Sequence, residues 1–127
     1  MKKQINTQSA PAAIGPYSQG VVAGNLLFVS GQIPIDPATG NLSNESIESQ
    51  TTQVFKNLQA IISEAGSSFD DVLKLTIYLT DLENFAAVNT IMESFFSKPF
   101  PARATIQVSR LPKDVAVEID AIAQLNT

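Results

Sequence analysis

The sequence predicts an α+β domain in which two helices cover one face of a sheet. Three observations carry this expectation. Stretches of alternating apolar and polar residues recur near the start, the middle and the end of the chain. Two stretches with apolar residues spaced by three and four lie between them. The chain has 127 residues, a length suited to one domain, 1–127, with one core. The element order is therefore strands, helix, strand, helix, strands, and two helices cover only one face of such a sheet.

The elements follow in chain order. Val21 to Gly31 reads as a hairpin, with "VVAG" and "LLFVSG" as strands and Gly24-Asn25 as the turn pair. "IPIDPATGNL", with two prolines and Thr-Gly, reads as a loop. Ile47, Thr51, Val54, Leu58, Ile61, Ile62 and Ala65 have helical spacing; Ser43 or Ser46 can cap the start, and Gly66 suits the C-terminal stop. "DVLKLTIYLT" alternates Leu73, Leu75, Ile77 and Leu79 against Lys74, Thr76 and Tyr78, a strand. A second helix starts at Thr80-Asp81, where Thr80 and Glu83 have capping-box spacing; Phe85, Val88, Met92, Phe95 and Phe96 form its apolar stripe, and Pro99 stops it. "ARATIQVS" and "VAVEIDAIA" are the last strands, joined by a turn at "RLPKD", so an antiparallel pair is expected. The sheet face turned away from the helices would then carry Thr76, Tyr78, Thr105, Gln107 and Ile122. Such a face is too polar for a core and too apolar for water, and it predicts a homo-oligomer.

Composition narrows the chemistry. With no cysteine and no histidine, the chain has no disulfide, thiolate nucleophile, Cys/His zinc site, imidazole base or Ser-His-Asp triad. A metal would need oxygen ligands alone, and no carboxylate cluster of that kind stands in the sequence, so no metal and no cofactor is expected. There is no Walker loop or GxGxxG. The net charge of −4 disfavours non-specific binding to nucleic acid, which depends on neutralising phosphates. No apolar run approaches the ~20 residues that span a bilayer, and no apolar segment follows the opening lysines as in a signal peptide. A cytoplasmic location is expected.

Arg103 is the first candidate for chemistry. On pattern alone it is a solvated arginine, or one paired with Glu118 or Asp120 across the final hairpin. Alternatively it is a carboxylate receptor, because a guanidinium presents a planar fork of donors that matches a carboxylate. Flanking alanines leave room beside it, and Pro99 and Pro101 stiffen its approach. Glu118, between Val117 and Ile119, is either a partner for that arginine or an acceptor that holds a water; one carboxylate can do both. Tyr17, in "IGPYSQG", Ser30 before Gly31, Asn89 beside the second helical stripe and Thr105 are weaker candidates, each with an ordinary packing, turn or local hydrogen-bonding role to set against a functional one.

"PARATIQVSRLPKDVAVEI" resembles the signature of the Rid family of reactive-intermediate deaminases, its RidA subgroup in particular. The matching positions are Pro101, Ala102, Arg103, Val117, Glu118 and Ile119. "APAAIGPYSQGV", "FVSGQIPIDPATG" and "DLENFAAVNTIMESFF" resemble the rest of the family in order, so the likeness covers nearly the whole chain. The resemblance implies a chorismate mutase-like fold, related to the ferredoxin-like one: a six-stranded, mostly antiparallel sheet with two helices on one face. It implies a homotrimer whose sheets form a central barrel, with a site at each subunit interface. It implies cofactor-independent hydrolysis of 2-iminobutanoate or 2-iminopropanoate, released by pyridoxal-phosphate dehydratases, to a 2-keto acid and ammonia. Arg103 would bind the substrate carboxylate, Glu118 would position the attacking water and manage its proton, and Tyr17, Ser30, Gly31, Asn89 and Thr105 would help form the pocket. Many relatives have cysteine where this chain has Thr105, which removes any thiol-dependent regulation here. Two other readings stand beside this one: a ribonuclease or translation inhibitor, and a non-catalytic trimer that senses keto acids.

Overall fold

A computed structural model of the chain describes residues 1–126. The strands are β1 (Lys3–Ile5), β2 (Gly20–Ala23), β3 (Leu26–Gln32), β4 (Val72–Leu79), β5 (Ala102–Gln107) and β6 (Val117–Gln124). The helices are α1 (Ile47–Glu64) and α2 (Phe85–Phe95). The six strands form one sheet in the order β1-β2-β3-β6-β4-β5, antiparallel at every junction except β4-β5, which is parallel. The fold is thus α+β with a mixed, mostly antiparallel sheet, as expected.

Local chemistry accounts for the element boundaries. Gly24, at φ 61°, supplies the left-handed residue that the β2–β3 turn requires. Ser46 caps α1: its hydroxyl accepts from the Ser49 amide, while the Ser49 side chain accepts from the Ser46 amide. Gly66, at φ 84°, ends the helix. The start of the second helical segment differs from expectation. Asp81, rather than Thr80, supplies the cap, accepting from the Glu83 amide, and one 3-10 turn (Leu82–Asn84) precedes α2.

Both helices lie on the apolar face of the sheet. Val54, Phe55, Leu58, Ile61 and Ile62 of α1 pack with Leu75, Ile77 and Leu79 of β4 and Val117, Ile119, Ala121 and Ala123 of β6. An aromatic group under α2 closes one end, with the Phe69 and Phe96 rings stacked at 4.5 Å between centroids. A register shift between Val72 and Lys74 puts Leu73 out of the expected alternation, and its side chain is exposed. No helix among the described residues is long and apolar enough to cross a membrane.

The expected antiparallel pairing of the last two strands does not form. β6 inserts between β3 and β4, and β5 lies at the sheet edge, parallel to β4. The burial of each strand explains the choice. β6 presents four buried apolar residues to the helices and belongs in the middle, whereas β5 has none buried and tolerates an edge. The α2 crossover then makes β5 parallel to β4. A second correction follows. Arg103, Thr105 and Gln107 pair with Leu75, Ile77 and Leu79, so they lie on the helix side of the sheet. The open face carries Ala102, Ala104 and Ile106 instead, beside Thr76, Tyr78, Glu118, Asp120 and Ile122.

Candidate functional site

The predicted site residues fall into two groups on opposite faces of the sheet. The first surrounds Arg103, at the β5 edge under α2. Its Nη1 donates to Asn89 Oδ1 at 2.6 Å and approaches Met92 Sδ at 3.6 Å, and its Cζ lies 5.1 Å from the Phe85 ring centroid. Asn89 is one helical turn before Met92–Glu93, so α2 itself aims the guanidinium. The expected pairing of Arg103 with Glu118 or Asp120 does not occur in the protomer; β4 stands between their strands. Nη1 alone carries the hydrogen bonds among the described residues, leaving Nε and Nη2 for another partner. A hollow of about 440 Å3 opens beside this group, lined by Asn89, Met92, Glu93, Phe100, Pro101 and Arg103. Thr105 lies two residues along β5; its buried hydroxyl oxygen has no hydrogen-bond partner among the described residues.

The second group surrounds Glu118. A cavity of about 640 Å3 is lined by Tyr17, Ser30, Gly31, Lys113, Glu118 and apolar neighbours that include Ile14, Ile33, Ile35 and Pro112. Glu118 lies against Gly31: a Cβ on that residue would overlap the Glu118 carboxylate. Burial, and then the charge of Asp120, push the Glu118 carboxyl above the ordinary range. Tyr78 stands opposite Glu118 in the β4–β6 register and donates from its hydroxyl to Asp120 Oδ2 at 3.0 Å.

Buried amides that the sequence reading passed over hold this second group in place. Gln19, fully buried, accepts from the Thr7 amide at 2.8 Å and donates to the carbonyls of Thr7, Ala10 and Pro11. It therefore ties the loop that carries Tyr17 to the start of the sheet. Ser30 donates to the Ser18 carbonyl at 2.6 Å and so clamps the same loop from β3. On α1, Asn57 donates to the carbonyls of Ile33 and Ile35, and Gln50 accepts from the Ala116 amide, two residues before Glu118. The available signal was the polarity of Gln50 and Asn57 within an otherwise apolar helical stripe; buried amides in such places are normally fully bonded. At the rim, Lys113 and Asp114 take φ of 56° and 57°, and Asp114 is held by Arg110 at 2.6 Å. That guanidinium keeps the Asp114 carboxyl below its ordinary range.

Tyr17, Ser30, Gly31 and Glu118 thus share one cavity, Arg103 and Asn89 share another, and Thr105 lines neither. No group of acidic side chains among the described residues is arranged to hold a metal ion.

Comparison with known proteins shows the family. The family described as Endoribonuclease L-PSP matches residues 7–125. The chain belongs to the Rid family. It is 52% identical over 123 residues to a RutC family protein of Pyrococcus horikoshii, covering 97% of this chain and 98% of the relative. It is 48% identical over 126 residues to the 2-iminobutanoate/2-iminopropanoate deaminase of Salmonella typhimurium, with coverage of 97% and 98%. The crystal structure of Escherichia coli TdcF with bound serine superimposes with a TM-score of 0.93 at 45% identity, covering 98% of this chain and 99% of that one. The matched span, residues 7–125, includes the positions of both groups.

Proposed function

We propose that the chain is an enamine/imine deaminase. It hydrolyses 2-iminobutanoate or 2-iminopropanoate to the 2-keto acid and ammonia, at a site shared by neighbouring copies in a homotrimer. The observation that carries the reading is the division of the site: an arginine with free donors lies at a sheet edge, and a carboxylate with raised proton affinity lies in a separate, largely apolar cavity on the other face. A second copy whose β5 edge meets the first copy's cavity brings the two together. The deaminase name at 48% identity supports the activity, and the serine bound to TdcF supports a small carboxylate-bearing ligand.

The chemistry then follows from the residues. Arg103 of the partner subunit grips the substrate carboxylate with its unoccupied donors, while Asn89 fixes its orientation. The protonated imine is already electrophilic, so a held water suffices as nucleophile and no cofactor is required. Glu118 takes one proton from that water as its oxygen bonds to the imine carbon, and the C=N electron pair moves to nitrogen. Glu118 returns the proton to the amino group of the resulting carbinolamine; the C–N bond breaks, the hydroxyl becomes the carbonyl, and nitrogen leaves with the surplus proton as ammonium. The apolar lining takes the substrate's short alkyl chain.

Coupling the purified chain to a threonine dehydratase tests this by the rate of 2-ketobutyrate release. Arg103→Lys keeps a charge but loses the fork, and kcat/KM is expected to fall on the order of 10²–10⁴-fold. Glu118→Gln is expected to retain binding of a keto-acid analogue while turnover drops. Full activity in the lysine variant would refute bidentate recognition, and binding of a keto acid with no acceleration would favour the sensor reading. The family's description, Endoribonuclease L-PSP, favours a ribonuclease as the second reading. The charge of −4 and the lack of histidine weigh against it, and degradation of labelled RNA lost in Arg103→Ala would favour it.

A further inference from the structure

We infer that Asp120, held by the Tyr78 hydroxyl, is a positioning residue for Glu118 and, on top of burial, raises the pH at which Glu118 can take a proton from water. Alternation along β6 puts Glu118 and Asp120 on the same open face, two residues apart, a separation of roughly 7 Å along a strand. Like charges at that separation repel each other. Neither carboxylate has an ion-pair partner among the described residues, where the only ion pair is Arg110–Asp114. Asp120 is instead restrained by a neutral phenol: Tyr78, opposite Glu118 on β4, reaches diagonally to Asp120 Oδ2 at 3.0 Å. A neutral donor fixes the carboxylate's position without cancelling its charge. That charge remains available to act on Glu118, whose own carboxylate is confined against Gly31. The proton affinities agree with this geometry: burial raises those of Glu118 and Tyr78 most, and Asp120 raises both further.

The other groups around Glu118 bring little charge to it from within the protomer. From β4, Lys74 shares the open face but stands opposite Ile122, beyond Asp120. From β3 the neighbours are Ser30 and Gly31, which carry no charge, and β5 contributes Ala104 and Ile106. Tyr17 and Lys113 line the cavity, Lys113 from its exposed rim. In the assembled site, Arg103 of the partner subunit also faces the cavity, and the substrate carboxylate neutralises it when bound. Burial makes Glu118 a stronger base than an ordinary glutamate, and Asp120 is the charged neighbour within the protomer that adds to that effect. Its consequence for turnover rests on the deaminase reading; its effect on Glu118 does not.

The experiment follows the Glu118 carboxyl by carbon-13 NMR titration of the full chain without substrate, assigned with Glu118→Gln, alongside the pH profile of kcat/KM. In Asp120→Asn the Glu118 titration and the acid limb of the profile are both expected to move to lower pH. The weaker base should lower the plateau kcat/KM by about two- to tenfold. Tyr78→Phe, which keeps the charge and releases its position, should move both in the same direction by less. A Glu118 titration that is unmoved in Asp120→Asn, with the fold intact by circular dichroism, overturns the inference; if that variant does not fold, an unmoved titration in Tyr78→Phe does so. If the titration moves while the native chain hydrolyses no imine, the Asp120–Glu118 link stands and the deaminase reading falls.

Discussion

Gly31 decides by a single carbon atom whether Glu118 can occupy its place. A Cβ there would come within 2.9 Å of the Glu118 Cδ and overlap its carboxylate oxygen. The obstructing atoms are the far end of a flexible side chain, so the protein can accept alanine by swinging the carboxylate away. Gly31→Ala is accordingly expected to fold with a melting temperature within a few degrees of native, while kcat/KM falls about 10²-fold, the effect of an ångström-scale misplacement. Equal activity in the two proteins would show that the carboxylate needs no such seat. Residue identities of this kind were partly legible in the sequence. The run from Pro101 to Ile119 marks Arg103 and Glu118 by its motif, and Gly31 follows a serine at a strand end. The hydrogen bond from Arg103 to Asn89 was not legible, because it joins a strand to a helix 14 residues earlier, and no local pattern reports such a pair.

At the scale of elements, periodicity and strand-like composition located both helices and five of the six strands, because a buried stripe or face imposes its own spacing on the sequence. They missed β1, three residues with only Ile5 buried, too short to show a period. They also mispaired β5 and β6. Alternation states which residues share a face, not which strand lies alongside, and a short turn between two strands favours a hairpin only when no better-buried position is open to one of them. The loop from Thr7 to Tyr17 had no pattern at all, since one buried side chain organises it. Gln19 makes four hydrogen bonds to that loop. Gln19→Leu keeps most of the volume and removes them all, leaving buried amide and carbonyl groups unpaired. It is expected to cost about 2–4 kcal/mol in urea denaturation and to accelerate hydrogen exchange at the Thr7 amide. Retained stability together with slow exchange at Thr7 would mean that packing alone holds the loop.

At the scale of the whole molecule, the open sheet face is the feature that one protomer leaves unexplained. Phe28 and Ile106 are each 44% exposed on it, beside Ile122 and the Tyr78–Asp120 pair. Sheets of this kind bury such a face against another layer, and the proposed trimer does so with copies of itself. If each site takes Arg103 from one copy and Glu118 from the next, two inactive proteins can repair each other. Arg103→Ala supplies an intact Glu118, and Glu118→Gln supplies an intact Arg103. Co-expressed in equal amounts and purified together, they assort at random around a ring, and about a quarter of the interfaces pair one good residue with the other. The mixture is expected to recover about that share of the native rate of 2-ketobutyrate release, against near-zero rates for either protein alone. A site built within one protomer would give no recovery at any ratio, because every copy would carry one defect. Light scattering on the same samples reports whether the variants assemble, so a lack of recovery in properly formed trimers would overturn a site shared between copies.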